Sequence, residues 1–131
     1  MRTKMHIEHI ALWTADLERL RTFYESQFGA IAGPRYVNTA KQFESYFLCF
    51  ESGARLELMQ TANLESTPTG HERCGYAHVA FALGGGERVC EMTARLAAAG
   101  CPIVDGPRVT GDGYFESVVL DPDGNRIELT V

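Results

Sequence analysis

Four residues carry donor atoms that a reaction could use, and they recur at a matched spacing. His9 precedes Glu57 by 48 positions, and His78 precedes Glu128 by 50. Each glutamate stands at the centre of a short alternating run, "RLELMQ" at 55–60 and "RIELTV" at 126–131. In a strand, alternation turns Glu57 away from Leu56 and Leu58, and Glu128 away from Ile127 and Leu129. A carboxylate taken out of water without a partner is costly. Two neutral imidazoles and two carboxylates suit a divalent transition metal, which would neutralise those carboxylates. Taken singly, a strand histidine is usually a hydrogen-bonded or half-exposed residue, and a strand glutamate usually faces water. The recurrence of the whole pair, in register, is what assigns these four to chemistry.

The elements that must position them also repeat. "MHIEHIALW" alternates as a strand. Asp16 then reads as the N-cap of a helix, "LERLRTFYESQF", with Leu17, Leu20, Phe23, Tyr24 and Phe28 on one stripe and Gly29 at its end. Strand-like runs follow at about 31–38, 42–50 and 54–60, the last two separated by Ser52-Gly53. The second half has the same order. A strand at 76–83 precedes a helix, "GERVCEMTARLAAA", with Val89, Met92, Leu96 and Ala99 on one face. "PIVDGPRVT", "GYFESVVL" and "NRIELTV" follow, the last two joined by the turn "DPDGN". The expected fold is α+β. It is one domain over residues 1–131, made of two tandem βαβββ units at about 5–60 and 75–131. A polar linker at 61–74, holding Pro68 and Gly70, joins them. By parity alone, His9, Glu57, His78 and Glu128 can all face the concave sides of curved mixed sheets, and two such sheets facing each other could bring the four together around a cavity.

A chain of 131 residues suffices for one ordinary core. Its formal net charge of −5, with no basic stripe, argues against nucleic acid as a partner. No apolar run is long enough to span a bilayer, and Met1-Arg2-Thr3-Lys4 leads directly into a strand-like run with no signal-peptide core. Cys49, Cys74, Cys90 and Cys101 form no CxxC pair, and Cys49 and Cys90 fall in apolar periodic segments. They read as free thiols in a reducing cytoplasm, with Cys49 and Cys90 acting as small hydrophobes.

Several other residues invite attention. His6 is out of phase with His9 and is expected to be exposed; His71 falls in the linker. Gly84-Gly85-Gly86 before a helix can suit an anion, but without a GxGxxG or P-loop pattern it reads as a strand-to-helix turn. Gly111-Asp112-Gly113 reads as a loop near the site or a plain hairpin turn. Arg35, Arg73 and Arg108 could meet an anionic substrate, although arginines at such positions are usually solvated. No Ser-His-Asp constellation has motif context.

The segments "HIEHIALWTADLERLRTFYESQFG", "RLELMQ", "YAHVAF" and "LDPDGNRIEL" resemble the vicinal oxygen chelate superfamily over nearly the whole chain. The resemblance is closest to its bacterial glyoxalase I, or lactoylglutathione lyase, branch. It implies that His9, Glu57, His78 and Glu128 ligate nickel or zinc, with cobalt as a further possibility. It also implies a homodimer in which His9 and Glu57 of one chain meet His78 and Glu128 of the other. The implied reaction isomerises a small molecule, the hemithioacetal of an α-oxoaldehyde, through an enediolate. Glu128 is the first choice for the base that moves the proton, and Glu57 the alternative acid/base.

Two positions depart from that pattern. Trp13 stands four after His9, where the resemblance leads one to expect arginine, and Thr61 stands four after Glu57 in place of asparagine. Both weaken the case for glutathione as the thiol. Trp13, together with Met59 on the Glu57 side of its strand, is instead expected to bind an apolar or aromatic part of the substrate. Related readings are an acyl-CoA epimerase, an extradiol dioxygenase, a thiol transferase acting on an antibiotic, and a non-catalytic resistance protein that binds a small molecule.

Overall fold

A computed structural model describes residues 5–65, 72 and 74–131. His71, Arg73 and the linker residues Pro68 and Gly70 lie outside the described residues. The chain divides into two compact units, Met1–Ser66 and Thr67–Val131. Each has one open mixed sheet and one helix, so the α+β class and the two-sheet architecture are as expected.

In the first unit, β1 (His9–Trp13) runs parallel to β5 (Arg55–Thr61). β5 pairs antiparallel with β4 (Phe43–Cys49), and β4 pairs antiparallel with both β2 (Ile31–Ala32) and β3 (Tyr36–Asn38). Helix α1 (Leu17–Phe28) covers one face of this sheet. Asp16 caps it by accepting from the Arg19 N–H at 3.1 Å. Gly29 ends it at φ 67°, a left-handed conformation that a Cβ would disfavour. Leu17, Leu20 and Tyr24 are buried together with Leu48, Leu56 and Leu58. Burying each such side chain stabilises the fold by about 1.5–3 kcal/mol.

The single run expected at 31–38 is two strands. Pro34 has no N–H to continue a ladder. Between the two pairings, residues 33–35 face only residues 46 and 47. The Gly33 N–H still reaches the Phe47 carbonyl at 2.9 Å, so the chain bulges without leaving the sheet.

The second unit repeats the scheme with strand order β6-β9-β8-β7. β6 (His78–Ala82) is parallel to β9 (Arg126–Thr130). β8 (Phe115–Leu120) is antiparallel to β9 and to β7 (Ile103–Val109). Helix α2 (Gly86–Ala98) packs on β7, β8 and β9. It buries Val89, Met92 and Leu96, as its spacing predicts. Ala99, expected on that face, lies beyond the helix end and is exposed. Thr93 is buried instead, donating to the Val89 carbonyl at 2.6 Å and meeting Ser117 Oγ at 2.7 Å. β7 is irregular at Asp105 and Arg108. A Cβ on Gly106 would lie 2.5 Å from the Glu116 carbonyl oxygen, so only glycine lets β7 approach β8 this closely.

Among the described residues no helix is long and apolar enough to cross a membrane. All four cysteines are free. Cys49 and Cys90 are exposed rather than core residues, because each follows the buried residue of its element, Leu48 and Val89.

Candidate metal centre

The pairing registers place the four expected ligands. Along β1 and β5, Ala11 stands beside Glu57 and His9 beside Arg55. Glu57 is thus diagonal to His9, on the face away from α1. The small Ala11 leaves the carboxylate room to lean toward the ring, and His9 Nε2 lies 3.6 Å from Glu57 Oε1. β6 and β9 reproduce this with Ala80 beside Glu128 and His78 beside Arg126. His78 Nε2 lies 3.2 Å from Glu128 Oε2. The carboxylate side chains are 16% and 21% exposed, so both are largely withdrawn from water.

A second carboxylate supports His9. Glu8 Oε1 lies 3.2 Å from His9 Nδ1, which favours a proton there and leaves Nε2 free to donate a lone pair. Hydrogen bonding from Arg55, and then the His9 contact, hold Glu8 below the usual carboxylate range. Arg55 also lies over the Phe47 ring at 4.1 Å, and Phe47 meets His9 edge-on at 5.2 Å between ring centres.

The second pair lies in a cleft of about 280 Å³ lined by His78, Asp105, Arg108, Glu116, Arg126 and Glu128. Arg108 donates to Asp105 at 2.6 Å and holds its carboxyl below the usual carboxylate range. Burial raises the pKa of Glu116, and its hydrogen bond to Glu128 raises it further. Glu116 therefore keeps a proton more readily than an ordinary glutamate and can share it with the Glu128 carboxylate.

The donor set fits a divalent transition ion. Two ligands about 2.1 Å from one ion, at roughly a right angle, lie about 3 Å apart, close to both observed His–Glu separations. Imidazole and carboxylate suit zinc, nickel or cobalt. Among the described residues, no group of three His, Cys, Asp or Glu side chains gathers to hold an ion. Each unit brings together two of the four expected donors, one imidazole and one carboxylate.

The other singled-out residues divide clearly. Trp13 is the register partner of Met59, on the Glu57 face, and is 50% exposed. It meets Phe43 edge-on at 6.2 Å, and Phe43 meets Tyr36 at 6.1 Å. Phe43 and Thr61 are cross-strand partners and line a groove of about 450 Å³ with Val37, Asn38 and Gln60. Arg35, considered for anions, is held by Glu18 and Glu44 on the helix side of its sheet. His6 is exposed, and Gly111-Asp112-Gly113 forms the turn between β7 and β8, closed by Gly113 N–H to the Thr110 carbonyl. Gly84 and Gly85 lead into α2, and Gly85 caps it without a side-chain bond.

Sequence reasoning missed Tyr36, Phe43, Phe47, Glu116 and Arg126. Arg126 could have been found, since it sits two positions from Glu128 on the same face. The others depend on cross-strand register, which spacing along the chain does not reveal.

A family model described as "Glyoxalase/Bleomycin resistance protein/Dioxygenase superfamily" matches residues 6–129. No curated protein matches the chain. Among solved structures, the trypanothione-dependent glyoxalase I of Leishmania major is 24% identical. The match covers 97% of this chain and 86% of that one, with a TM-score of 0.77. A V278E mutant of glyoxalase I from Zea mays is 22% identical over 95% of this chain and 44% of its own, with a TM-score of 0.79. A glyoxylase/bleomycin resistance protein/dioxygenase domain from Frankia sp. EAN1pec is 16% identical over 98% of both chains, with a TM-score of 0.83. At these identities the likeness to solved structures establishes the fold.

Proposed function

The chain belongs to the glyoxalase/bleomycin resistance protein/dioxygenase superfamily, and from that premise we propose that it is a metal-dependent lyase of the glyoxalase I type. The observation that carries the proposal is the repeated contact of a histidine Nε2 with a glutamate carboxylate, at 3.6 Å in the first unit and 3.2 Å in the second. His9, Glu57, His78 and Glu128 are the ligands of nickel or zinc, with cobalt as a further candidate. The resemblance to glyoxalase I implies a homodimer, with His9 and Glu57 of one chain joining His78 and Glu128 of its partner. Three exposed free cysteines suit a reducing cytoplasm, where we place the protein.

The substrate is a hemithioacetal of an α-oxoaldehyde. The metal, when bound, lowers the energy of negative charge developing on the substrate's oxygens. Glu128 takes the proton from the C–H of the hemithioacetal carbon, leaving an enediolate, and returns it to the neighbouring carbon. The product is a thioester of a 2-hydroxy acid, with no atom gained or lost. Glu57 is the alternative acid/base. Trp13 and Met59 contact the part of the substrate that does not react.

The thiol carrier follows from those last contacts. Trp13 and Thr61 offer no cation to a peptide carboxylate, whereas Trp13, Phe43 and Tyr36 offer aromatic surface. An aromatic or apolar thiol therefore suits this face better than glutathione. The test is isomerisation by metal-free protein reloaded with nickel and, separately, with zinc. The methylglyoxal hemithioacetals of glutathione and of benzyl mercaptan are compared. Metal-dependent turnover of either supports the lyase. Absence of turnover with all four combinations would refute it.

A further inference from the structure

We propose that Arg126 is an anion-binding residue that recognises a carboxylate carried by the substrate. The inference rests on reading the His78–Glu128 face as the catalytic one. Arg126 is the cross-strand partner of His78, shares the face of Glu128 and lines the same cleft. It is half-buried, yet its guanidinium makes no ion pair or hydrogen bond among the described residues.

The internal repeat shows what is unusual about this. Arg55 occupies the equivalent place beside His9 and is fully engaged, ion-paired with Glu8 and stacked over Phe47. The residue preceding His78 is Ala77, where the first unit has Glu8. The residue beside Glu128 on β8 is Val118, where the first unit has Phe47 beside Glu57. The second unit therefore retains the arginine and lacks both of its partners. The other guanidinium in the cleft, that of Arg108, is occupied by Asp105. Arg126 is left with a planar fork of donors whose natural complement is a planar carboxylate.

Binding can be measured without turnover. The zinc-loaded full chain is titrated by calorimetry with para-(methylthio)benzoate and with its uncharged twin, para-(methylthio)benzamide. The carboxylate is expected to bind about tenfold more tightly or better, as charge-assisted bonds do. In Arg126→Gln that preference should fall to near unity while zinc uptake is unchanged. Arg55→Gln should keep it, and Arg126→Lys, a milder change should the glutamine variant fold poorly, should keep part of it. A preference that survives in Arg126→Gln would place the carboxylate on the metal and overturn the proposal. So would equal loss in Arg55→Gln, dissociation of a dimer by Arg126→Gln, or no preference in the unaltered protein. Because no step needs catalysis, failure of the lyase reading and failure of this one are separate results.

Discussion

At the scale of single residues, the proposed chemistry depends on two carboxylates that strand alternation turns away from the core. Glu128 sits 3.2 Å from His78 Nε2 with Glu116 against it, whereas Glu57 has a longer histidine contact of 3.6 Å. The closer, more crowded carboxylate is the one we assign as base. Glu128→Gln removes the basic oxygen but keeps a carbonyl donor. Turnover is expected to fall about 100- to 10,000-fold, the usual worth of a positioned base. Nickel should still raise the melting temperature of this variant, because ligands that bind only the folded state stabilise it. Unchanged turnover would transfer the role of base to Glu57. The four proposed donors could be picked out in the sequence because His9/Glu57 and His78/Glu128 repeat in register. Glu116 was not, since only the β8–β9 pairing brings it to Glu128.

At the scale of elements, helix α1 is tied to its sheet by one carboxylate. Glu18 accepts from Tyr46 Oη at 2.6 Å, from Arg21 at 2.6 Å and from Arg35 at 3.0 Å. The Tyr46 hydroxyl, followed by Arg21, holds Glu18 below the ordinary glutamate range. A carboxyl depressed in this way stabilises the folded state above its unfolded pKa and loses that contribution as pH falls through the folded one. The Glu18 side chain is 44% exposed and therefore screened by water, so the effect is small, under about 1 kcal/mol. Melting temperatures of the unaltered protein and of Glu18→Gln should differ at pH 7 and converge below about pH 4. A constant gap across that range would exclude the ionic contribution. Both helices were legible because their apolar residues recur at helical spacing and Asp16 and Gly29 mark the ends of the first. The break in 31–38 hinges on how Pro34 meets β4, and the irregularity of β7 on how Gly106 meets Glu116; both are cross-strand matters.

At the scale of the whole molecule, each unit carries half of the proposed ligand set, which gives the proposed dimer a direct test. One chain bears His9→Ala and Glu57→Gln; the other bears His78→Ala and Glu128→Gln. Each alone should be inactive. Once mixed and allowed to exchange, half of the dimers are mixed, and each of these has one intact site of two. Recovery of about a quarter of the original activity is expected if each site draws on both subunits. No recovery, despite exchange demonstrated by mass spectrometry, would place each site within one chain.

The amino-acid sequence by itself determined the repeated strand-helix-strand order, the faces of the two helices and the matched places of the four residues proposed as ligands. These follow from periodicities local to each element, of two residues in strands and 3.6 in helices. Tertiary structure alone decided which side chains meet across strands. It joined Arg55 to Glu8 and Phe47 while leaving the Arg126 guanidinium without a partner among the described residues, and it set Trp13 against Phe43. It also turned Arg35 toward Glu18, on the side away from the site. The physical reason is register: a neighbour across a sheet is chosen by backbone hydrogen bonds between distant segments, and a shift of one residue would exchange every face.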